Sequence, residues 1–231
     1  MNGKHVLITG GTGGLGSEVA RLALSQGAQV VIPYRQATAM EQLKATVPPA
    51  HLNRLHLVPA NLTDEARVIS LIAALPRLDA LIHLVGGFSM GDTADYPYRD
   101  WKYDFELNVN TTFLVCKHSL KPMQAQNYGR IVTVGSRGAV APAGKLASYC
   151  AAKAAVVAFT QAIADEMKGT NVTANVVLPS VIDTPTNRQA MGTAQASQWV
   201  QPAALAQVIC FLASEAAQDI RGAAVPVYGN A

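Results

Sequence analysis

The amino-acid sequence predicts an α/β fold, a doubly wound, seven-stranded, mainly parallel sheet with helices on both faces. Two observations carry this expectation. Short β-branched and aliphatic runs alternate with longer stretches of helical period, and a cluster of glycines falls where the first such run gives way to the first helix. A third observation sets the domain count. The 231 residues are 50% hydrophobic and no Ser/Gly/Pro-rich linker interrupts the alternation, so residues 1–231 read as a single domain around one sheet.

Strands are expected at residues 6–9, 29–33, 55–59, 80–85, 130–134, 171–178 and 223–227. Helices are expected at 15–26, after Thr63-Asp64-Glu65 with Thr63 as N-cap, and at 100–124, 148–167 and 202–214. Strands joined through helices run parallel with right-handed crossovers, so their carboxyl ends gather on one edge, where a ligand crevice forms. Chemistry-bearing residues at strand ends are therefore the ones to follow.

Eighteen basic and fifteen acidic side chains leave a net charge of +3, scattered rather than gathered into a stripe, which argues against nucleic acid as a partner. The apolar run at 6–8 is too short for a signal-peptide core or a membrane span, so no membrane partner and a cytoplasmic location are expected. Cys116, Cys150 and Cys210 are odd in number, far apart and without a CxxC pair, which fits reduced, buried thiols. The five histidines lack metal-ligand spacing, and no metal is expected.

Thr9-Gly10-Gly11-Thr12-Gly13-Gly14-Leu15-Gly16 lies at the first strand-to-helix turn. Bare N–H groups and the positive end of the helix dipole face the crevice there, and glycine lets the backbone approach a pyrophosphate closely. Gly10, Thr12, Gly13, Gly14, Leu15 and Gly16 are thus candidate binders of a dinucleotide. At the end of the second strand, where NAD users place an acid, stand Tyr34 and Arg35. No carboxylate repels a 2′-phosphate, and the guanidinium fork suits one, so NADP is the expected cofactor with NAD the alternative.

Tyr149 and Lys153 are four apart on an expected helix and so share one face. A phenol is a poor proton donor-acceptor at neutral pH unless a nearby cation favours its phenolate, which an ammonium at this spacing does. Ser136 follows the strand at 130–134, at the carboxyl edge, thirteen residues ahead of Tyr149, where its hydroxyl can donate to a developing alkoxide.

Glycine loop, Ser136 and Tyr149-x-x-x-Lys153, in that order, resemble the short-chain dehydrogenase/reductase family over essentially the whole chain. The resemblance implies a Rossmann fold and an NAD(P)-dependent oxidoreductase acting between an alcohol and a carbonyl, with Tyr149 as acid–base. It implies that Asn108 is a fourth catalytic residue, acting on Lys153 through water. It also implies cofactor contacts from Asn61, Leu62, Val85, Gly86, Ile182 and Thr184, besides Tyr149 and Lys153, and a homo-oligomer, tetramer or dimer, formed through the two long helices. Three positions depart from the family pattern: His83-Leu84-Val85-Gly86 replaces Asn-Asn-Ala-Gly, Asn61 stands for an aspartate, and Ser180 replaces a glycine after Pro179. Val85-Gly86-Gly87-Phe88 and Asp183-Thr184-Pro185-x-Asn187-Arg188 also resemble the quinonoid dihydropteridine reductase branch, which lacks the serine and carries an acid at the ribose position. Three activities follow in order: a carbonyl reductase or alcohol dehydrogenase on a small molecule, a pteridine-type imine reductase, and a dinucleotide-binding sensor without turnover. The segment after Thr184 reads as a mobile loop with Met191 and Trp199 as its large apolar anchors.

Overall fold

The computed structural model describes residues 1–230. Seven strands form one parallel sheet: β1 (His5–Thr9), β2 (Gln29–Tyr34), β3 (Leu55–Pro59), β4 (Ala80–His83), β5 (Gly129–Val134), β6 (Val172–Pro179) and β7 (Ala224–Val227). Their spatial order is β3-β2-β1-β4-β5-β6-β7, which reverses direction between β1 and β4, the crevice of a doubly wound sheet. Register places Thr9 beside His83 and His83 beside Thr133, so three polar strand ends line up across that switch.

Helices cover both faces, which is why β4 and β6 are buried throughout, their polar residues His83, Thr173 and Asn175 included. On one face Val6, Ile8 and Ile32 pack with α1 (Gly14–Ser25) and α8 (Pro202–Leu212). On the other, Leu7, Leu81 and Ile131 pack with α3 (Glu65–Ala73), α5 (Thr111–Ala125) and α6 (Ala147–Glu166). The two-residue period of a strand divides neighbours such as Leu7 and Ile8 between these cores. The cysteines are buried and free in both layers.

Four local departures from the sequence-based expectation have physical causes. Asp64, one residue beyond Thr63, caps α3, its carboxylate accepting from the N–H groups of Ala66 at 3.0 Å and Arg67 at 3.3 Å. A helix α2 (Ala37–Thr46) lies where none was expected, because it buries only Leu43 and so carries little periodic signal. The long helix is three pieces, α4 (Tyr98–Phe105), a π-helical turn at Glu106–Asn110, and α5. Side chains serve the carbonyls around that turn: Asn108 Nδ2 donates to Asp104 O, Thr111 Oγ1 to Leu107 O and Thr112 Oγ1 to Asn108 O, at 2.6–2.9 Å.

The segment after Thr184 is structured, not a mobile loop. It forms α7 (Pro185–Met191) and a 3-10 turn at Ala196–Gln198. Thr184 caps α7 through Asn187 N–H at 3.2 Å, Pro185 occupies its first position, and Arg188 pairs with Asp183 at 2.5 and 2.8 Å. Trp199 is buried as an anchor, and Met191 is exposed.

α6 is 20 residues long with a mean hydropathy of 1.2 over its window, enough in length and composition to cross a membrane. Here it lies on the sheet, with Thr160 Oγ1 meeting Thr133 Oγ1 at 2.7 Å and Lys153 buried on the same side.

Candidate active site

The dinucleotide candidates come together in a cleft of about 270 Å³ at the carboxyl edge of β1, β2 and β4. Gly10, Thr12, Gly13, Tyr34, Arg35, Asn61, Leu62, Val85 and Gly86 all line it. Gly10 has φ +70, and a Cβ there would lie 2.9 Å from the Leu84 carbonyl carbon, so only glycine closes this turn. Gly13 is the N-cap of α1 and offers no capping side chain, which leaves the first N–H groups of the helix for an anion.

The remaining glycine-loop candidates take other positions. A Cβ on Gly16 would stand 2.1 Å from Gly10 O, so Gly16 is where the helix folds back on its own turn, and Leu15 packs partly against the core. Gly14 faces Thr184, whose Cγ2 would lie 3.0 Å from an added Cβ; this brings the segment after β6 onto the glycine turn. Ile182 supports that segment through a bridge to Val200.

Bare glycine backbone, an uncapped helix N-terminus and an exposed arginine at the far end fit a dinucleotide in charge and reach. Asn61 Oδ1 accepts from Thr63 N–H at 3.3 Å, one of the two bonds an amide oxygen can take, and the residue lines the cleft.

The catalytic candidates meet beside the cleft. Tyr149 and Lys153 lie on the first turns of α6, with Lys153 Nζ 5.9 Å from the centre of the Tyr149 ring. Lys153 is 5% exposed and donates to Val134 O at 2.9 Å; burial lowers its pKa to about 8. Burial raises the Tyr149 phenol, the Ser136 hydroxyl pulls it back, and Cys150 adds to the rise. Ser136 caps a short turn at Arg137–Ala139, and its Oγ accepts from Gly138 N–H at 3.1 Å.

Asn108 sits in the π turn with its side chain fully engaged. Its amide donates to Asp104 O at 2.9 Å and Gly87 O at 3.0 Å, and Oδ1 accepts from Gly87 N–H at 3.3 Å. A Cβ on Gly86 would stand 2.8 Å from Asn108 Oδ1 and 2.9 Å from Lys153 Nζ, so these two side chains converge on one glycine.

Three residues take part that the sequence-based reading gave no role in the site. His83 is buried, with Nδ1 2.7 Å from Thr9 Oγ1 and Nε2 3.4 Å from Thr111 Oγ1, and it ties the glycine-loop strand to the end of the π turn. Phe88 meets the Tyr149 ring edge-on, centroids 6.0 Å apart. Asp104 is buried four residues before Asn108, a spacing that signals a shared helix face.

Comparison with known proteins agrees with this geometry. The family described as short chain dehydrogenase matches residues 4–195. YvrD of Bacillus subtilis, an uncharacterized oxidoreductase, is 31% identical, covering 98% of this chain and 95% of its own. Cyclopentanol dehydrogenase of Comamonas testosteroni is 30% identical, covering 100% and 97%. A solved short chain dehydrogenase/reductase family protein superposes with a TM-score of 0.91 at 32% identity, covering 99% of this chain and 97% of that one.

His83 generates a prediction that needs no substrate. Burial first, and the Lys153 charge second, lower its pKa from 6.5 to about 3. The folded value lies below the unfolded one, so unfolding takes up a proton, and the stabilisation present above pH 6.5 declines as pH falls toward 3. The free energy of unfolding, followed by denaturant titration from about pH 6.5 to about pH 5, above most carboxylate titrations, should fall with pH by up to about 1.4 kcal/mol per unit. His83→Asn, which retains a polar partner for Thr9 without titrating, should flatten that slope; an unchanged slope assigns it elsewhere.

Family model, relatives and superposition agree over nearly the full length, and the chain belongs to the short-chain dehydrogenase/reductase family of NAD(P)-dependent oxidoreductases.

Proposed function

We propose that the protein interconverts a small-molecule carbonyl and its alcohol with NADP as preferred cofactor, Tyr149 serving as the acid–base. The observation that carries this reading is the state of Ser136. Gly138 N–H donates to its Oγ, so the oxygen is held in place while its own proton is available to the Tyr149 phenol or to a substrate oxygen beside it. Such a donor stabilises an alkoxide more than the bound ketone. The relative named cyclopentanol dehydrogenase supports an alcohol or carbonyl substrate.

A nicotinamide dinucleotide, when bound, supplies or accepts the hydride at the reacting carbon. In reduction Ser136 donates to the carbonyl oxygen, and Tyr149 delivers the proton that turns the alkoxide into an alcohol, afterwards regaining one from solvent. Lys153 in its charged form stabilises the phenolate left behind and offers donors to ribose hydroxyls. Asn108 holds the Gly86–Gly87 backbone beside Lys153. Gly10 to Gly16 receive the pyrophosphate, Asn61 and Leu62 the adenine, Tyr34 and Arg35 the 2′-phosphate end, and Val85, Gly86, Ile182 and Thr184 the nicotinamide half.

A homo-oligomer and a cytoplasmic location belong to the same reading. Phe113 on α5, 46% exposed and packed on Phe159 of α6 at 5.9 Å, supports the first, and three buried, unpaired cysteines support the second.

The test is a panel of carbonyl compounds and a quinonoid pterin, assayed with NADPH and NADH. On the best carbonyl substrate, Ser136→Ala should lower kcat by roughly 10²-fold or more. A rate left unchanged on the best substrate would favour the pteridine-type reading, in which no alkoxide forms. For the cofactor, Arg35→Ala should weaken NADPH by about 1–3 kcal/mol and leave NADH nearly untouched. Equal losses for the two would remove Arg35 from 2′-phosphate recognition.

A further inference from the structure

Asp104 is a carboxylate inside the protein, 2% exposed, with no salt-bridge partner among the described residues. The proposed chemistry does not use it. Its oxygens accept from Ser89 Oγ at 2.9 Å and from Tyr96 OH at 2.8 Å, and those two hydroxyls also contact each other. Both donors belong to the loop between β4 and α4. Asn108 holds the same loop at Gly87, through the two bonds already described, and Lys145 O, just ahead of α6, accepts from Gly91 N–H at 2.9 Å. Lys145 takes φ +64 to present that carbonyl, a conformation uncommon for a residue with a side chain.

Phe88 lies between the Gly87 and Ser89 anchors, and its ring is the one set against Tyr149. A buried carboxylate without a cation costs free energy that an apolar side chain at the same position would not, so packing alone gives no reason for Asp104. What hydrogen bonds add over packing is direction. Two bonds from one carboxylate fix where Ser89 and Tyr96 stand, and hence where the adjacent Phe88 points.

We propose that Asp104 is a positioning residue for Tyr149: gripping Ser89 and Tyr96, it holds Phe88 against the Tyr149 ring, and its backbone carbonyl orients Asn108. This rests on the reading of Tyr149 as acid–base. Released from the grip, Phe88 swings and water reaches the phenol. The phenol, held up by burial, then ionises at a lower pH. The other groups that act on it, Ser136 and Cys150, and the Lys153 ammonium 5.9 Å from its ring come from the end of β5 and from α6 and are untouched by the variants below.

The test compares wild type with the triple variant D104L/S89A/Y96F, which removes the three mutually bonded polar groups together, so that none of the three is left without its partner. Three quantities are read: the thermal midpoint, the pH at which Tyr149 ionises (phenolate absorbance, with Tyr149→Phe in the same background as the reference), and kcat on the best carbonyl substrate together with the KM for NADPH. The expected result is a near-native midpoint, ionisation of Tyr149 at lower pH, and kcat reduced roughly 10-fold or more with the KM for NADPH unchanged. A triple variant with native midpoint, native ionisation and native kcat overturns the proposal and leaves Asp104 a structural residue. Should the triple variant fail to fold, Ser89→Ala alone, which retains the Tyr96 bond, is expected to move the Tyr149 ionisation in the same direction by a smaller amount. No movement there overturns the proposal equally. The ionisation readout requires no turnover, so a failure of the acid–base reading itself would show separately, as turnover retained by Tyr149→Phe.

Discussion

Lys153 carries an ammonium into a region almost closed to water, and its recorded protein hydrogen bond is to the carbonyl of Val134 at the end of β5. Burial of that charge lowers its pKa to about 8, which keeps the cation available at neutral pH with little to spare. Much of the surrounding structure is arranged around this one group. Gly86 has no side chain because Asn108 Oδ1 and Lys153 Nζ occupy the space a Cβ would need. His83, paired across the sheet with Thr133, the residue before Val134, stays neutral first because it is buried and second because a positive charge there would face that of Lys153. Position on α6 then places the ammonium within 5.9 Å of the Tyr149 ring, where its field favours the phenolate.

The parallel sheet makes this convergence attainable. Ser136 follows β5, Gly86 follows β4, the glycine turn follows β1, and Thr184 follows β6, so four distant stretches of chain deliver their residues to one edge without long excursions. The π turn contributes the fifth. It lets Asn108 spend its amide on the backbone of Gly87 and of Asp104, which couples the loop after β4 to the helix that flanks the site. The same coupling brings Phe88 to the Tyr149 ring.

The strands and the order of Ser136, Tyr149 and Lys153 were legible in the sequence because apolar runs and i,i+4 spacing are local signals. The lining of the cleft by Gly10, Tyr34 and Arg35 follows from strand ends, whereas Asn61 and Gly86 were expected there through the family resemblance. Other features are not local. The π turn is accompanied by side chains donating to carbonyls, a feature that apolar periodicity does not report. The helix α7 is short and buries none of its residues, and its stability comes from Thr184, Pro185 and the Asp183–Arg188 pair. Thr63 and Asp64 both suit an N-cap, and the backbone decides between them. The environment of Asp104 depends on Ser89 and Tyr96, fifteen and eight residues away across a loop whose path no periodicity describes.

The central claim is that a single proton, carried by Tyr149, is transferred at this edge of the sheet. Replacing Tyr149 by Phe keeps the ring against Phe88 and removes that proton. NADPH affinity, followed by the fluorescence of the reduced cofactor, should stay within about twofold, while turnover of the best carbonyl substrate falls by roughly 10²- to 10⁴-fold. Turnover in Tyr149→Phe close to that of the wild type would contradict the account.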